Sequence, residues 1–179
     1  MREHGFTLVE LLIAMVLAGV AMTAIYSAYY SQQRAYEITQ DYTDVQQNIR
    51  NAMYFMEKDL RMAGYDPTIS GNFGFTDISN QNRVTFTLDV NEDGLVSGTT
   101  EYIIYKYHPE QNTLERNSGG SFFDVANYIT GVTFTFLNFN GNATASASSI
   151  RSVRVEISGD KDGRSRTSST RVLCRNLNL

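Results

Sequence analysis

The chain contains no tryptophan, one cysteine, two prolines and two histidines in 179 residues. One cysteine, Cys174, excludes an intramolecular disulfide and reads as a small buried hydrophobe. His4 lies near the N-terminus, so no histidine-rich metal centre is available, and a Ser-His-Asp triad would rest on His108 alone, beside Pro109. The sequence therefore does not read as an enzyme. No proline precedes Pro67, so nothing of that kind interrupts a helix over the first sixty or so positions. Residues 11–30 carry no charge, and only Thr23 and Ser27 among them are clearly polar. Positive charge is in deficit overall, with a formal net charge of −4. Residues 150–179 hold seven Lys/Arg against three Asp/Glu, and residues 1–149 hold eight against sixteen. The two parts can attract each other when packed. The arginines are spread along strand-like segments, and no nucleic-acid partner is expected.

The uncharged run has the length that a helix needs to cross roughly 30 Å of hydrocarbon. Tyr26, Tyr29 and Tyr30 cluster at its far end, where amphipathic rings favour a membrane interface, and Arg34 follows. One carboxylate, Glu10, stands inside the apolar segment that Phe6 opens. An acidic residue near the centre of a spanning helix costs about 2.5–3.5 kcal/mol, which makes Glu10 a functional candidate. A secretory signal cut near Ala21–Ala24 is one rival, although Glu10 interrupts its apolar region and the run continues past the cut. An uncleaved signal anchor is another, and in a third reading Glu10 merely snorkels to the interface.

Ile38, Tyr42, Val45, Ile49, Ala52, Met53, Met56, Leu60 and Ala63 recur at helical spacing, and Gly64 with Pro67 supplies a stop. A helix over residues 6–63 would be roughly 87 Å long at 1.5 Å per residue. The remainder reads as β, with strands expected at 83–90, 101–107, 113–116, 132–139, 150–157 and 166–173. Turn signals separate them at Asp93-Gly94, at 117–120, at Asn140-Gly141 and at Asp162-Gly163. Strands that follow one long helix predict an α+β fold in which an antiparallel sheet packs on the helix. Residues 138–149, rich in Asn, Ala, Ser and Gly, read as a mobile loop, and Asn142-Ala143-Thr144 fits the N-glycosylation triplet.

Asp89, Asn91 and Asp93 with Gly94 match the opening of a calcium loop, where oxygen ligands alternate and glycine permits the turn. The place of the closing glutamate is taken by Thr100, with Glu101 one residue late. A hairpin loop is the simpler account. Calcium is thus a candidate ligand at Asp89, Asn91 and Asp93, and no cofactor is required. Tyr102, Tyr105, Tyr107, Phe122 and Phe123 would carry an adhesive or ligand-binding surface if exposed, and core otherwise.

Gly5-Phe6-Thr7-Leu8-Val9-Glu10 and the apolar helix after it resemble type IV pilins and the pseudopilins of type II secretion. The resemblance implies cleavage by a prepilin peptidase between Gly5 and Phe6, N-methylation of Phe6, and a register role for Glu10 in filament assembly. A free α-amine at Phe6 would stay largely cationic, since such groups titrate near 7.7–8.0, and would attract Glu10 strongly in low dielectric. Residues 59–66, with Gln47-Asn48-Ile49-Arg50 upstream and the pattern continuing to about residue 116, resemble PilW-like minor pilins and, less closely, GspJ-type pseudopilins. That likeness implies a single-pass inner-membrane protein with a periplasmic head that later joins a pilus filament. Its partners would be the prepilin peptidase, other minor and major pilins and the assembly platform. It would be organised as a leader over 1–5, a filament-core half-helix over 6–30, an amphipathic half-helix over 31–65 and a β-rich head over 66–179. Major pilins often carry a proline in the latter part of the span, where the helix unwinds during assembly. Ser27 stands in that neighbourhood here.

Overall fold

The computed structural model describes residues 5–177. One α-helix, α1 (Leu8–Met62), is followed by eight strands: β1 (Phe75–Asp77), β2 (Arg83–Thr87), β3 (Tyr102–His108), β4 (Thr113–Ser118), β5 (Ser121–Ala126), β6 (Ile129–Leu137), β7 (Ser152–Lys161) and β8 (Arg164–Leu173). The chain divides into two compact units, the first ending at Gln40 and the second beginning at Asp41.

In the first unit the helix stands without a covering layer. All of its described residues are exposed except Ile38, which is half-buried. Thr23 returns its hydroxyl hydrogen to the Gly19 carbonyl at 2.8 Å, so a polar side chain is satisfied within the apolar run.

In the second unit the helix becomes one wall of the core. Val45, Ile49, Ala52, Met53, Met56 and Leu60 are buried, and their three- and four-residue spacing keeps them on one stripe. Tyr42 from the expected face is 39 % exposed, and the Arg166 guanidinium lies over its ring at 5.2 Å. The helix stops where Gly64 takes a left-handed φ of 75°. Its amide donates to the Thr87 carbonyl at 3.0 Å, and a Cβ there would overlap Leu177.

Two antiparallel sheets complete the layers, where the sequence suggests one. Five strands run in the order β1-β2-β3-β4-β5, and three in the order β6-β7-β8. Each pairs with its sequence neighbour, so the whole β region is built from local connections. Phe75 of the first sheet meets Phe136 of the second with ring centroids 5.5 Å apart, and both belong to the same core cluster as the helix stripe. Two hairpins close on two-residue turns: Gly119-Gly120 between β4 and β5, with φ of 71° and 87°, and Asp162-Gly163 between β7 and β8, with φ of 51° and 78°. Positive φ at both central positions suits the right-handed strand twist.

The six expected strands are all present, with ends shifted by up to four residues. β1 and β5 are additions. β1 is only three residues long, and β5 is an edge strand whose first four residues are exposed, so neither shows the alternation that marks a half-buried strand. Residues 138–149 hold defined structure, with a bridge between Leu137 and Ala143 and a 3-10 turn at Ala147–Ser149. Asn142 of the glycosylation triplet is exposed on that loop.

Charge separation along the chain is realised in the packing. The Lys161 ammonium sits 3.2 Å from Asp41 and 2.5 Å from Asp44 on the helix, and those hydrogen bonds raise its pKa above the ordinary lysine value. Glu57 accepts a hydrogen bond from Thr170 at 2.9 Å. Gly159 on β7 allows the closest approach: a Cβ there would lie 2.8 Å from the Tyr128 carbonyl oxygen and 3.1 Å from a Val45 methyl.

Candidate functional sites

The N-terminal segment begins with a reciprocal cap. Thr7 precedes the first helical residue, and its hydroxyl accepts the Glu10 amide at 3.3 Å. Glu10 Oε2 in turn accepts the Thr7 amide and the Thr7 hydroxyl, both at 2.9 Å. This is a capping box, in which a Thr-x-x-Glu pair satisfies amides the helix cannot bond internally. The Thr7-Leu8-Val9-Glu10 spacing that makes it is present in the sequence. Both bonds from Thr7 end on Oε2, so among the described residues Oε1 is the atom left for a further cation.

Phe6, Leu8, Val9, Leu11, Leu12, Ile13, Met15, Val16, Leu17, Val20, Met22 and Ile25 are all more than half exposed. Burying side chains of this kind is worth about 1.5–3 kcal/mol each, so the set stands to gain on the order of 20–35 kcal/mol in lipid or among neighbouring helices. The cost of carrying Glu10 into an apolar phase is about 3 kcal/mol, a tenth of that gain. Glu10 therefore cannot keep the helix out of a membrane. The segment is by length and composition able to cross one.

The second sequence-predicted site falls in residues 88–101, the loop from β2 to β3, and the structure draws its acids together. Asp89 Oδ1 and Oδ2 accept the amides of Asp93 at 3.2 Å and Gly94 at 3.0 Å. Gly94 takes the left-handed conformation that the turn demands, with φ of 73°. Asn91 is turned to the loop itself: its Oδ1 accepts the Asp93 amide and its Nδ2 donates to Asp93 Oδ2, both at 3.0 Å. Glu101, one place beyond the position a standard calcium loop would use, joins Asp89 and Asp93. One carboxylate oxygen from each of the three lies within 4.8 Å of the others. The loop connects neighbouring antiparallel strands, and it is a long one with acids gathered together.

The remaining candidates sort by burial. Tyr105 and Tyr107 are core, whereas Tyr102, Phe122 and Phe123 are 36 %, 49 % and 43 % exposed, with the Arg116 guanidinium over the Phe123 ring at 5.5 Å. His108 Nε2 lies 2.9 Å from a Glu115 carboxylate oxygen. Cys174 is buried, and burial pushes its thiol up to about 12. Asp59 is a site residue that the sequence does not disclose as such. Its Oδ2 accepts both the Tyr105 hydroxyl and Arg116 Nε at 2.6 Å, tying the helix to β3 and β4. Burial, with the Asp59 carboxylate, raises the Tyr105 hydroxyl far above the ordinary phenol value.

Comparison with known proteins agrees with both halves of this description. Residues 1–26 match the prokaryotic N-terminal methylation motif, which takes in Gly5, Phe6 and Glu10. Residues 38–174, from the helix to the last strand, match the family described as prepilin peptidase-dependent protein B. No curated protein matches the chain. With a methylation motif at its start and that family over most of its length, the chain belongs to the prepilin peptidase-dependent protein B family and is a type IV pilin-like minor pilin.

Proposed function

We propose that the protein is a PilW-like minor pilin that helps initiate or support type IV pilus assembly. In this reading prepilin peptidase cuts between Gly5 and Phe6, Phe6 is N-methylated, and the head faces the periplasm from a single span in the inner membrane. The mature subunit then enters a filament through residues 6–30, in contact with other minor and major pilins and with the assembly platform.

One observation supports the proposal: a helix whose apolar first part is exposed on every side, with a single carboxylate in its first turn and within the N-terminal methylation motif. Cleavage turns the Phe6 nitrogen into a cationic amine four residues from Glu10. The Thr7 bonds hold Oε2, so Oε1 is placed to accept that amine from its own chain or from a neighbouring subunit. In hydrocarbon an unpaired carboxylate is costly and a paired one much less so. Glu10 then sets the axial register of the helices, since only an offset that brings an amine to it avoids the penalty. Net stability comes from the apolar side chains.

Mass spectrometry of the membrane-derived N-terminus tests the processing step, with methylated Phe6 as the expected first residue. A mature chain beginning at Met1, or near Ala24, would overturn it. Glu10→Ala should leave membrane insertion unchanged and lower incorporation into filaments; full incorporation would remove the register role. Loss of exported enzymes with intact pili in a deletion strain would assign the chain instead to a GspJ-like place in type II secretion.

A further inference from the structure

We propose that the β2–β3 loop is a calcium site, closed by Glu101 together with Asp89 and Asp93. The inference is independent of the assembly role. Asp89 and Glu101 are fully buried, and Asp93 stands at the loop surface. Three carboxylates so close repel one another, and two of them have given up solvation by water. Among the described residues no lysine, arginine or histidine forms an ion pair with any of them.

Glu101 provides the second and independent observation. Its Oε2 accepts the Ser97 amide at 2.6 Å, which fixes the carboxylate in place. Its Oε1 is buried and has no hydrogen-bond partner. Buried polar atoms are nearly always satisfied, and a buried carboxylate that keeps an orphaned oxygen while clustered with two others calls for a cation. All three donors are hard anionic oxygens with no nitrogen or sulfur among them, which selects calcium or magnesium over zinc or copper. Oxygens around one calcium at 2.3–2.6 Å can stand up to about 5 Å apart, and the observed spread of 4.8 Å or less fits within that. Magnesium draws its ligands to about 2.0–2.1 Å in strict octahedral geometry, which a loop already pinned by its own amides cannot readily supply.

Binding here would brace the exit of the helix. The Asp89 amide donates to the Tyr65 carbonyl at 2.8 Å, and the Gly94 carbonyl accepts from Asn72 Nδ2 at 2.9 Å. The loop is thus stitched to the segment that follows α1, and a cation that holds the three acids together also holds that segment.

The test uses the full chain in non-ionic detergent, stripped with a chelator and then titrated with calcium chloride or magnesium chloride. Calorimetry should show calcium binding at one site. Calcium at about a hundredfold excess over its Kd should raise the unfolding temperature of the β-rich unit by roughly 5–10 °C. Magnesium at equal concentration should do much less. Glu101→Gln keeps the size of the side chain and removes its charge. Without calcium it should melt at or above the wild-type temperature, and calcium should no longer shift it. Asp93→Asn, at the exposed ligand, gives the same readout should Glu101→Gln fail to fold. No heat and no shift at millimolar calcium would overturn the proposal, as would a full shift in either variant or equal shifts with the two metals.

Discussion

Replacing Asp59 by alanine should cost the β-rich unit about 2–4 kcal/mol. Among the described residues the carboxylate is the anion bonded to both the half-buried Arg116 guanidinium and the buried Tyr105 hydroxyl, each 2.6 Å from the same oxygen. Removing one partner of a fully buried ion pair costs about 3–5 kcal/mol, because the survivor is left charged and unpaired. The side chains of Asp59 and Arg116 are 14 % and 16 % exposed, so some hydration remains and the expected loss is about 2–4 kcal/mol. Tyr105→Phe removes one charge-assisted hydrogen bond and leaves the ion pair, at about 1.5–3 kcal/mol. With domains of this size shifting about 2–4 °C per kcal/mol, Asp59→Ala should lower the melting temperature by roughly 5–15 °C. Near-ultraviolet circular dichroism in non-ionic detergent is the natural assay, since eleven tyrosines and no tryptophan supply the signal. A combined Asp59→Leu, Arg116→Met chain should recover the part of the loss that the stranded Arg116 charge causes, and adding Tyr105→Phe, which removes the hydroxyl left without its acceptor, should recover most of the rest. A fall of less than about 2 °C for Asp59→Ala, or a double variant no better than the single one, would refute the reasoning.

Two further outcomes are expected. Stability should decline as pH rises above about 10, because Tyr105 and Lys161 have ordinary values of 10.0 and 10.5 and both are raised in the folded chain. A group raised on folding stabilises fully below its unfolded value and loses that contribution as pH climbs toward the folded one. Tyr105→Phe should flatten part of the alkaline decline in a melting-temperature profile, and an unchanged profile would argue against the linkage. Gly159→Ala should destabilise by about 1–3 kcal/mol in denaturant titration, since the new methyl must displace the Tyr128 carbonyl or Val45; a neutral result would mean that β7 can move off the helix at no cost.

The helix and its two characters were legible residue by residue. Residues 11–30 lack charge altogether, and a continuous apolar surface has no low-energy state in water, so that segment must be covered by something outside itself. Val45 to Ala63 keep helical spacing, and a one-sided stripe has to meet a core. Gly64 and the turns at Gly119-Gly120 and Asp162-Gly163 announce themselves because few other residues adopt positive φ. These are local rules, and a sequence states them directly.

Tertiary structure alone decided the division into two sheets and the partners of the polar side chains. β5 does not alternate because its first residues face solvent on an edge, which depends on where the sheet ends. Asp59 looks like any polar residue on a helix turn until β3 and β4 bring Tyr105 and Arg116 to it from 46 and 57 positions away. Glu101 stands one residue outside the expected calcium pattern, and only the path of the loop carries it back to Asp89 and Asp93. Spacing along a chain determines which face a side chain occupies; what lies opposite is settled by how the layers pack.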